Sequence, residues 1–289
     1  MHQFNMLWKD GKEKLLTFSY DDGVVQDRKL LKIMRENGLR GTFNLNSGFL
    51  GWKDDIIRDD KVVDHSHVKP DEVAELYEGM EVAVHTVTHP DLVQLEDADA
   101  LQEVLQDRAA LEKLVGYPVH GMAYPFGTTD ERIQSMLHSC GIRYARGVET
   151  TADFKLPKDP LNWACSCHHY DLEELIDPFL ADDQELKCLT VWGHSYEFDQ
   201  KDEWDKIEGQ MERLGGHDNV WYATNGEMFD YIADFKRLDV TLDGRTIYNP
   251  SAQTIWIRMD GQKYEIRGGE WLRLEENCKE EHPFRIWKG

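Results

Sequence analysis

Residues 15–23, Leu-Leu-Thr-Phe-Ser-Tyr-Asp-Asp-Gly, decide how the rest of this chain is interpreted. The segment begins with apolar and β-branched residues that are typical of a buried strand. Asp21 and Asp22 follow at its C-terminal end, where neighbouring side chains point in different directions, and Gly23 allows a tight turn. Two adjacent carboxylates are costly there unless a cation lies between them or one is protonated. The pair is therefore either an Asx-turn followed by a helix cap, which is common for Asp-Asp-Gly, or part of a functional site.

Length and composition restrict the class of protein. A chain of 289 residues, 40% hydrophobic and 30% charged, is long enough for one large α/β domain with a small addition. The net charge of −22 argues against nucleic acid or an anionic membrane as the main partner. No long apolar stretch and no signal-peptide pattern is present, and the five cysteines are an odd number without a regular framework. We therefore predict free thiols and a cytoplasmic location.

Short apolar segments alternate with amphipathic helical segments up to about residue 238. Repeated strand–helix units predict a parallel sheet with right-handed crossovers. Seven or eight such units fit a distorted (β/α) barrel, and a doubly wound open sheet is the alternative. In a barrel, functional residues lie at the C-terminal ends of the strands.

The pattern changes at about residue 239. From there, short alternating segments are separated by the turn sequences Asp243-Gly244, Asp260-Gly261 and Gly268-Gly269. The sequence therefore predicts two parts, a (β/α) barrel over residues 1–238 and a small antiparallel β appendage over residues 239–289. An appendage of this size would not fold comfortably by itself.

Three histidines follow apolar segments that resemble strands. His85 and His89 come directly after one of them, four residues apart, and His194 comes after another. Two imidazoles with the Asp22 carboxylate form a common catalytic zinc set that leaves one position open for water. Zinc would lower the pKa of that water from about 15.7 to near 7. Asp21 could then accept a proton from this water, and His194 could protonate the leaving group. A metal-bound water, a base and an acid are together the groups needed to hydrolyse an ester or amide.

These residues resemble the motifs of the polysaccharide deacetylases of carbohydrate esterase family 4. The first family motif, Thr-Phe-Asp-Asp-Gly, is similar to residues 19–23, Ser-Tyr-Asp-Asp-Gly. The second, His-Ser/Thr-x-x-His, is matched by residues 85–89, and the fifth, a hydrophobic strand ending in His, by residues 191–194. The resemblance covers about residues 12–236.

The resemblance implies a role for each of these residues. Asp21 would be the base and His194 the acid, while Asp22, His85 and His89 would bind the metal. The fold would be a distorted (β/α) barrel, and the reaction would remove acetyl groups from N-acetylglucosamine or acetylated xylan. The metal and a backbone N–H near Phe126 would stabilise the oxyanion.

Two departures from the family pattern affect the site. In residues 123–127, Ala123 occupies the position of a family arginine that orients the base, and Phe126 occupies that of a tyrosine. In the fourth motif, Trp163 is the candidate for the tryptophan that walls the cleft, but no aspartate lies beside it. The predicted substrate-binding residues are Tyr124, Pro125, Phe126, Trp163 and Trp192.

The preferred interpretation is a metal-dependent deacetylase acting on an acetylated sugar or oligosaccharide. Zinc is the favoured ion, although cobalt, nickel or manganese would accept the same ligands. The alternatives are a related barrel amidohydrolase that cleaves a cyclic amide or ureide, and a non-catalytic carbohydrate-binding protein. A second zinc site at Cys165, Cys167, His168 and His169 is less favoured, because buried free cysteines are common. The oligomeric state stays open.

Overall fold

A computed structural model describes residues 4–274, which form seventeen strands and eight α-helices. The strands are β1 Asn5–Leu7, β2 Lys14–Asp22, β3 Gly41–Leu45, β4 Asp55–Arg58, β5 Lys61–Asp64, β6 Glu81–Val84, β7 Gly121–Ala123, β8 Tyr144–Thr150, β9 Trp163–Cys165, β10 Cys167–His168, β11 Lys187–Gly193, β12 Val220–Tyr222, β13 Asp239–Val240, β14 Thr246–Tyr248, β15 Ile255–Met259, β16 Gln262–Ile266 and β17 Trp271–Arg273. The helices are α1 Asp27–Glu36, α2 Val73–Leu76, α3 Asp97–Val115, α4 Glu131–Ser139, α5 Leu172–Leu180, α6 Glu197–Lys201, α7 Trp204–Leu214 and α8 Asn225–Lys236.

The chain divides into two compact units. One unit is Lys12–Ile232, and the other combines the first eleven residues with the chain from Ala233 onward. The second unit includes N-terminal residues because β1 pairs with β15, which joins opposite ends of the chain. The predicted division at residue 238 placed β1 in the larger unit. Pairing between strands far apart in the chain leaves no signal in the local sequence.

The larger unit is built on a sheet of nine strands in the order β10-β11-β2-β3-β6-β7-β8-β9, with β12 also pairing with β2. Every pair in this sheet is parallel. All nine residues of β2 are buried, because β11 covers one of its edges and β12 and β3 share the other. The predicted α/β fold with a parallel sheet is therefore confirmed, and residues 15–22 form most of β2, which pairs with three other strands.

The two ends of the sheet meet at residues 163–168. β9 pairs with β8, whereas β10 pairs with β11 at the other end of the strand order. Ser166 lies between β9 and β10, and its N–H donates to the carbonyl of Thr190 at 2.8 Å. The strand order thus returns on itself through a segment that is interrupted at Ser166. This arrangement is compatible with the distorted (β/α) barrel that the sequence predicts.

Local sequence explains where the helices begin and end. The apolar residues Leu30, Leu31, Ile33 and Met34 of α1 are all buried, as their spacing predicts. Asp130 is the N-cap of α4, because its side chain accepts a hydrogen bond from the N–H of Ile133 at 2.8 Å. Among the described residues, no helix combines the length and the apolar character needed to cross a membrane.

Residues 49–68, a polar stretch of the sequence, contain a β-hairpin. β4 and β5 pair antiparallel, and the turn between them uses Asp59 and Asp60, both with positive φ. The hairpin was missed because its strands are short and mostly exposed, so they show no apolar periodicity.

The smaller unit contains only antiparallel pairs in its described part, as the sequence predicted. One sheet has the order β1-β15-β16 and the other β13-β14-β17. The predicted turn Asp260-Gly261 joins β15 to β16, and both of its residues have positive φ. Four of the cysteines are free and buried, and Cys278 lies outside the described residues.

Candidate active site

The predicted site residues meet at the C-terminal ends of the parallel strands. Asp21 and Asp22 end β2, His85 follows β6, and His194 follows β11. They border a cavity of about 470 Å³ in the larger unit. Of the residues predicted from sequence, those lining it are Asp21, Asp22, His85, His89, Tyr124, Phe126, Trp192 and His194.

Asp22, His85 and His89 form a cluster whose composition and geometry suit a divalent metal ion. Their potential ligand atoms all lie within 4.8 Å of one another, and Asp22 Oδ1 is 3.5 Å from His85 Nε2 and 3.9 Å from His89 Nε2. Burial by itself raises the pKa of Asp22. The neighbouring imidazoles of His65 and His85 outweigh that effect and hold the pKa well below its usual range, so the group is a carboxylate.

The position of the proton on the His85 ring also suits metal binding. Its Nδ1 lies 2.8 Å from the carbonyl oxygen of Ala123. A carbonyl can only accept, so Nδ1 carries a proton, and in the neutral ring Nε2 keeps its lone pair. Nε2 is buried, faces Asp22 and has no hydrogen-bond partner in the described structure. An imidazole held in this way by a backbone carbonyl is the usual arrangement of a metal-binding histidine.

The segments that carry these three candidate ligands are held in unusual backbone conformations. Asp22, Thr86 and His89 have φ values of 77°, 70° and 55°, which residues other than glycine rarely adopt. Asn46 stabilises one of these loops by donating to the carbonyl oxygens of His85 and Thr86 at 2.5 and 2.9 Å. Such strain persists where surrounding contacts enforce it, and it is concentrated at functional sites.

Asp107, which sequence analysis did not single out, supports the same loop from α3. Its carboxylate accepts from the N–H groups of Ser47 at 2.7 Å and His85 at 3.0 Å. Burial raises its pKa to about 7 against these hydrogen bonds. Its position on the inner face of a helix is the only sequence signal that could have identified it.

Asp21 is held by Arg146, which sequence analysis did not identify. The Arg146 Nη2 lies 2.5 Å from Asp21 Oδ1, and its Nε donates to Ser19 Oγ at 2.8 Å. Arg146 is the residue of β8 that pairs with Ala123 of β7. The guanidinium thus comes from the strand beside the one where the family resemblance places an arginine. Both charges are almost fully buried.

The environment of Asp21 keeps it ionised. Burial raises its pKa, but the charges of Arg146, His85 and His194 lower it below the usual value. Asn44 also donates to Asp21 Oδ1 at 2.8 Å. Because Oδ1 accepts from both Arg146 and Asn44, Oδ2 is the oxygen that can accept a further proton.

His194 is paired with a carboxylate three residues further along. Its Nδ1 lies 3.3 Å from Glu197 Oε2, and the same oxygen accepts from the His194 backbone N–H at 3.0 Å. Burial lowers the pKa of His194, but the hydrogen bond with Glu197 and the charges of Asp22, Glu197 and Asp21 raise it to about 9. At neutral pH the ring is protonated and can donate a proton from Nε2.

Two of the predicted substrate-binding residues do not line the cavity. Trp163 is 3% exposed, and its ring packs against Phe229 with centroids 5.3 Å apart. The expectation that it walls the cleft was wrong, because the alternation of side chains along β9 turns this residue away. Pro125 is also buried, whereas Phe126 has positive φ and is 62% exposed above His89.

The β4–β5 hairpin and the residues after it supply part of the cavity that sequence reasoning missed. Ile56, Arg58, His65 and His67 line it. His65 Nε2 is 3.6 Å from Asp22 Oδ2, the oxygen that faces away from His85. The His65-Ser-His67 sequence was the available signal.

Comparison with known proteins agrees with this geometry. Residues 9–145 match the family model of polysaccharide deacetylases. This part of the chain, a little under half of it, is similar to polysaccharide deacetylases. The matched region includes Asp21, Asp22, His85 and His89, and it ends one residue before Arg146.

A curated relative, a chitin deacetylase from Colletotrichum lindemuthianum, is 27% identical over 143 residues. The match covers 49% of this chain and 52% of the relative, so the chain spans about half the length of that relative.

Two solved structures share the fold. The chitin deacetylase from the same fungus has a TM-score of 0.51 at 22% identity, covering 77% of this chain and 90% of the other. A candidate polysaccharide deacetylase from Mycobacterium smegmatis has a TM-score of 0.57 at 16% identity, covering 84% of this chain and 98% of the other. At these identities the likeness concerns the fold alone.

Proposed function

We propose that this protein is a metal-dependent hydrolase that removes acetyl groups from an N- or O-acetylated carbohydrate. The observation that carries the proposal is the different environment of two adjacent carboxylates. Asp21 is bound to Arg146, whereas Asp22 lies with His85 and His89, and His194 borders the same cavity. Binding of a sugar alone would require neither a paired base nor a protonated histidine.

Asp22, His85 and His89 would hold the metal ion. We propose zinc from the ligand types, although cobalt, nickel and manganese accept the same set. When bound, the ion would supply a water of lowered pKa and would polarise the acetyl carbonyl.

The other residues would move protons and position the substrate. Asp21 would accept the proton of the attacking water on Oδ2, because Oδ1 is held by Arg146 and Asn44. His194 would donate a proton from Nε2 to the departing amine or alcohol oxygen, since its Nδ1 faces Glu197. A backbone N–H near Phe126 would stabilise the oxyanion, and Tyr124 and Trp192 would border the sugar.

The substrate class follows from the cavity and from the relatives. A cavity of about 470 Å³ suits one or two sugar rings. The curated relative is named for its action on chitin, so an N-acetylated amino sugar or its short oligomers are the first substrates to test.

The alternative of a cyclic amide or ureide substrate was motivated by Ala123 at the arginine position. Arg146 weakens that motive, because it brings a guanidinium to Asp21 from the adjacent strand.

The test is metal analysis of the purified protein together with an assay of acetate release. Chitooligosaccharides and acetylated xylooligosaccharides would be compared with ureides and cyclic amides, before and after chelation and reloading. We expect one ion at the Asp22 cluster and release of acetate that chelation abolishes.

Variants of two aspartates would make the test specific. Asp22→Ala is expected to lose both the ion and the activity, whereas Asp99→Ala, which removes an exposed carboxylate from α3, would lose neither. Full acetate release by metal-free Asp22→Ala protein would exclude the proposed function.

A further inference from the structure

A second group of metal-type side chains lies behind His194. His168, His169 and Glu197 offer ligand atoms that all lie within 4.8 Å of one another. Glu197 Oε2 is 3.3 Å from His168 Nε2 and 3.4 Å from His169 Nε2, and it is also 3.3 Å from His194 Nδ1. By composition alone the group resembles the Asp22 cluster. The positions of the protons on its imidazole rings distinguish metal binding from hydrogen bonding to Glu197.

The tautomer of His168 distinguishes the two clusters. The backbone N–H of Tyr170 donates to His168 Nδ1 at 3.3 Å. A backbone N–H can only donate, so Nδ1 must accept, and the proton of a neutral ring is on Nε2. Nε2 is the atom that faces Glu197. A protonated nitrogen donates to a carboxylate and has no lone pair for a metal, which is the opposite of His85.

His169 contributes packing to this cluster. Its residue is 2% exposed, and neither ring nitrogen has a hydrogen-bond partner in the described part of the chain. The ring packs against Tyr20 and Phe198, with centroid distances of 5.9 and 4.4 Å. A Cβ at position 193 would lie 2.1 Å from His169 Nδ1, so Gly193 is required for the ring to lie beside His194.

We propose that Glu197 and His168 are positioning residues for His194, acting as a hydrogen-bonded relay and not as a second metal site. His168 Nε2–H donates to the Glu197 carboxylate, which in turn accepts Nδ1–H from His194. The relay fixes the His194 ring so that Nε2 faces the cavity and carries a proton. This inference rests on the proposed function in one respect, namely that His194 acts as the proton donor.

The three members lie on different elements, and the fold brings them together. His168 ends β10, His194 follows β11, and Glu197 begins α6. The pairing of β10 with β11 places His168 beside Trp192, two residues before His194. Glu197 reaches both rings because it begins the helix that follows His194.

The first test measures tautomers and does not depend on activity. Long-range proton–nitrogen NMR spectra of the uniformly ¹⁵N-labelled, zinc-loaded protein would assign the side-chain nitrogens of the histidines. We expect a protonated Nε2 on His168 and a protonated Nδ1 on His194. A His168 ring protonated on Nδ1 would overturn the relay.

Metal analysis is a second test that does not depend on activity. We expect no ion in Asp22→Ala protein, because the relay has no free lone pair for one. One ion per chain that survives Asp22→Ala but disappears in the Asp22→Ala/His168→Ala protein would show a second metal site and would refute the relay.

The kinetic test compares positioning with simple structural support. For an N-acetylated sugar, Glu197→Gln and His168→Ala are expected to lower kcat about tenfold with KM changed less than about twofold, since proton transfer is weakened while substrate contacts remain. His168→Gln should recover most of kcat, because its amide N–H can donate to Glu197.

Glu212→Gln is the matched control, since it removes an exposed carboxylate from α7, and it should behave as wild type. Equal kcat in wild type and Glu197→Gln would contradict the relay. Absence of acetate release from wild-type protein would instead contradict the proposed function, and the NMR tautomers would still decide the relay.

Discussion

The two residues that we propose to transfer protons, Asp21 and His194, are held in place in different ways. Asp21 depends on Arg146, a residue far away in sequence that pairs with Ala123 across two neighbouring strands. His194 depends on Glu197, only three residues further along the chain. The difference shows that a buried charge can be neutralised from whichever strand lies beside it, whereas a ring at a strand end can be held by its own loop.

Burial explains why the two arrangements should respond differently to change. The side chains of Arg146 and Asp21 are 1% and 4% exposed, whereas those of His194 and Glu197 are 21% and 14% exposed. Removing one partner of a buried ion pair leaves an uncompensated charge and costs about 3–5 kcal/mol. A partly solvated pair loses less, because water replaces the missing partner.

The largest effect is expected for Asp21→Asn. Loss of the general base should lower kcat for acetate release about 10³-fold, within the range for a positioned base. The metal content should be unchanged, because Asp22, His85 and His89 remain. Acetate release is measured beside metal analysis of the same sample, and activity within tenfold of wild type would show that the base lies elsewhere.

The next largest effect is expected for His194→Ala, and it distinguishes the proposed acid, His194, from the proposed base, Asp21. His194→Ala should lower kcat about 10²-fold for an N-acetylated sugar, because the departing amine needs a proton. With 4-nitrophenyl acetate, whose leaving group needs none, the loss should be much smaller.

Asp21→Asn should reduce hydrolysis of both substrates to a similar extent, which makes it the comparison for this measurement. Equal losses on the two substrates in His194→Ala would contradict the assignment of His194 as acid.

Arg146→Ala should affect stability as much as activity. We expect unfolding in urea to show a loss of about 3–5 kcal/mol, since the Asp21 carboxylate is left buried and unpaired. Acetate release should fall about tenfold, because Asp21 is still present but is less well oriented.

The adjacent strand offers a direct control. The double variant Ala123→Arg/Arg146→Ala moves the guanidinium to its partner position in the β7–β8 register. It should recover part of both losses. A double variant no better than Arg146→Ala would show that the strand of origin matters and that the two positions are not equivalent.

The smallest effect is expected for Phe126→Tyr. The Phe126 ring is 62% exposed, so a hydroxyl group can be added without loss of packing. A solvated substitution of this kind changes stability by less than about 0.5 kcal/mol, and we expect kcat and KM to stay within about twofold. A large gain in kcat would show that the side chain, and not only the backbone, takes part in the reaction.

Strand β2 and the residues of the proposed metal site could be predicted because their sequence signals are local. The apolar segment at residues 15–18 leads directly into Asp21 and Asp22, and the His85-to-His89 spacing follows another short apolar segment. Strand ends of a parallel sheet face the same side, so these residues had to meet once the fold class was known.

The supporting residues were not predictable, because each depends on contacts between distant segments. Arg146 belongs to the site only because β8 lies beside β7 in the observed register. Trp163 was assigned to the cleft from sequence, but the orientation of β9 directs it towards Phe229. Asp107 lies on a helix whose pattern indicated only burial.

The sequence by itself determined the alternation of strands and helices, the presence of two carboxylates at the end of the first buried strand, and the histidines that accompany them. Only the tertiary structure decided what neutralises Asp21, which side of His168 carries a proton, and which aromatic residues border the cavity. The physical reason is that apolar periodicity and turn residues act over a few neighbouring positions. Strand register and the pairing of buried charges are instead set by segments that the fold alone brings together. The partners of Asp22, His85 and His89, can therefore be recognised in the sequence. The partner of Asp21, Arg146, cannot.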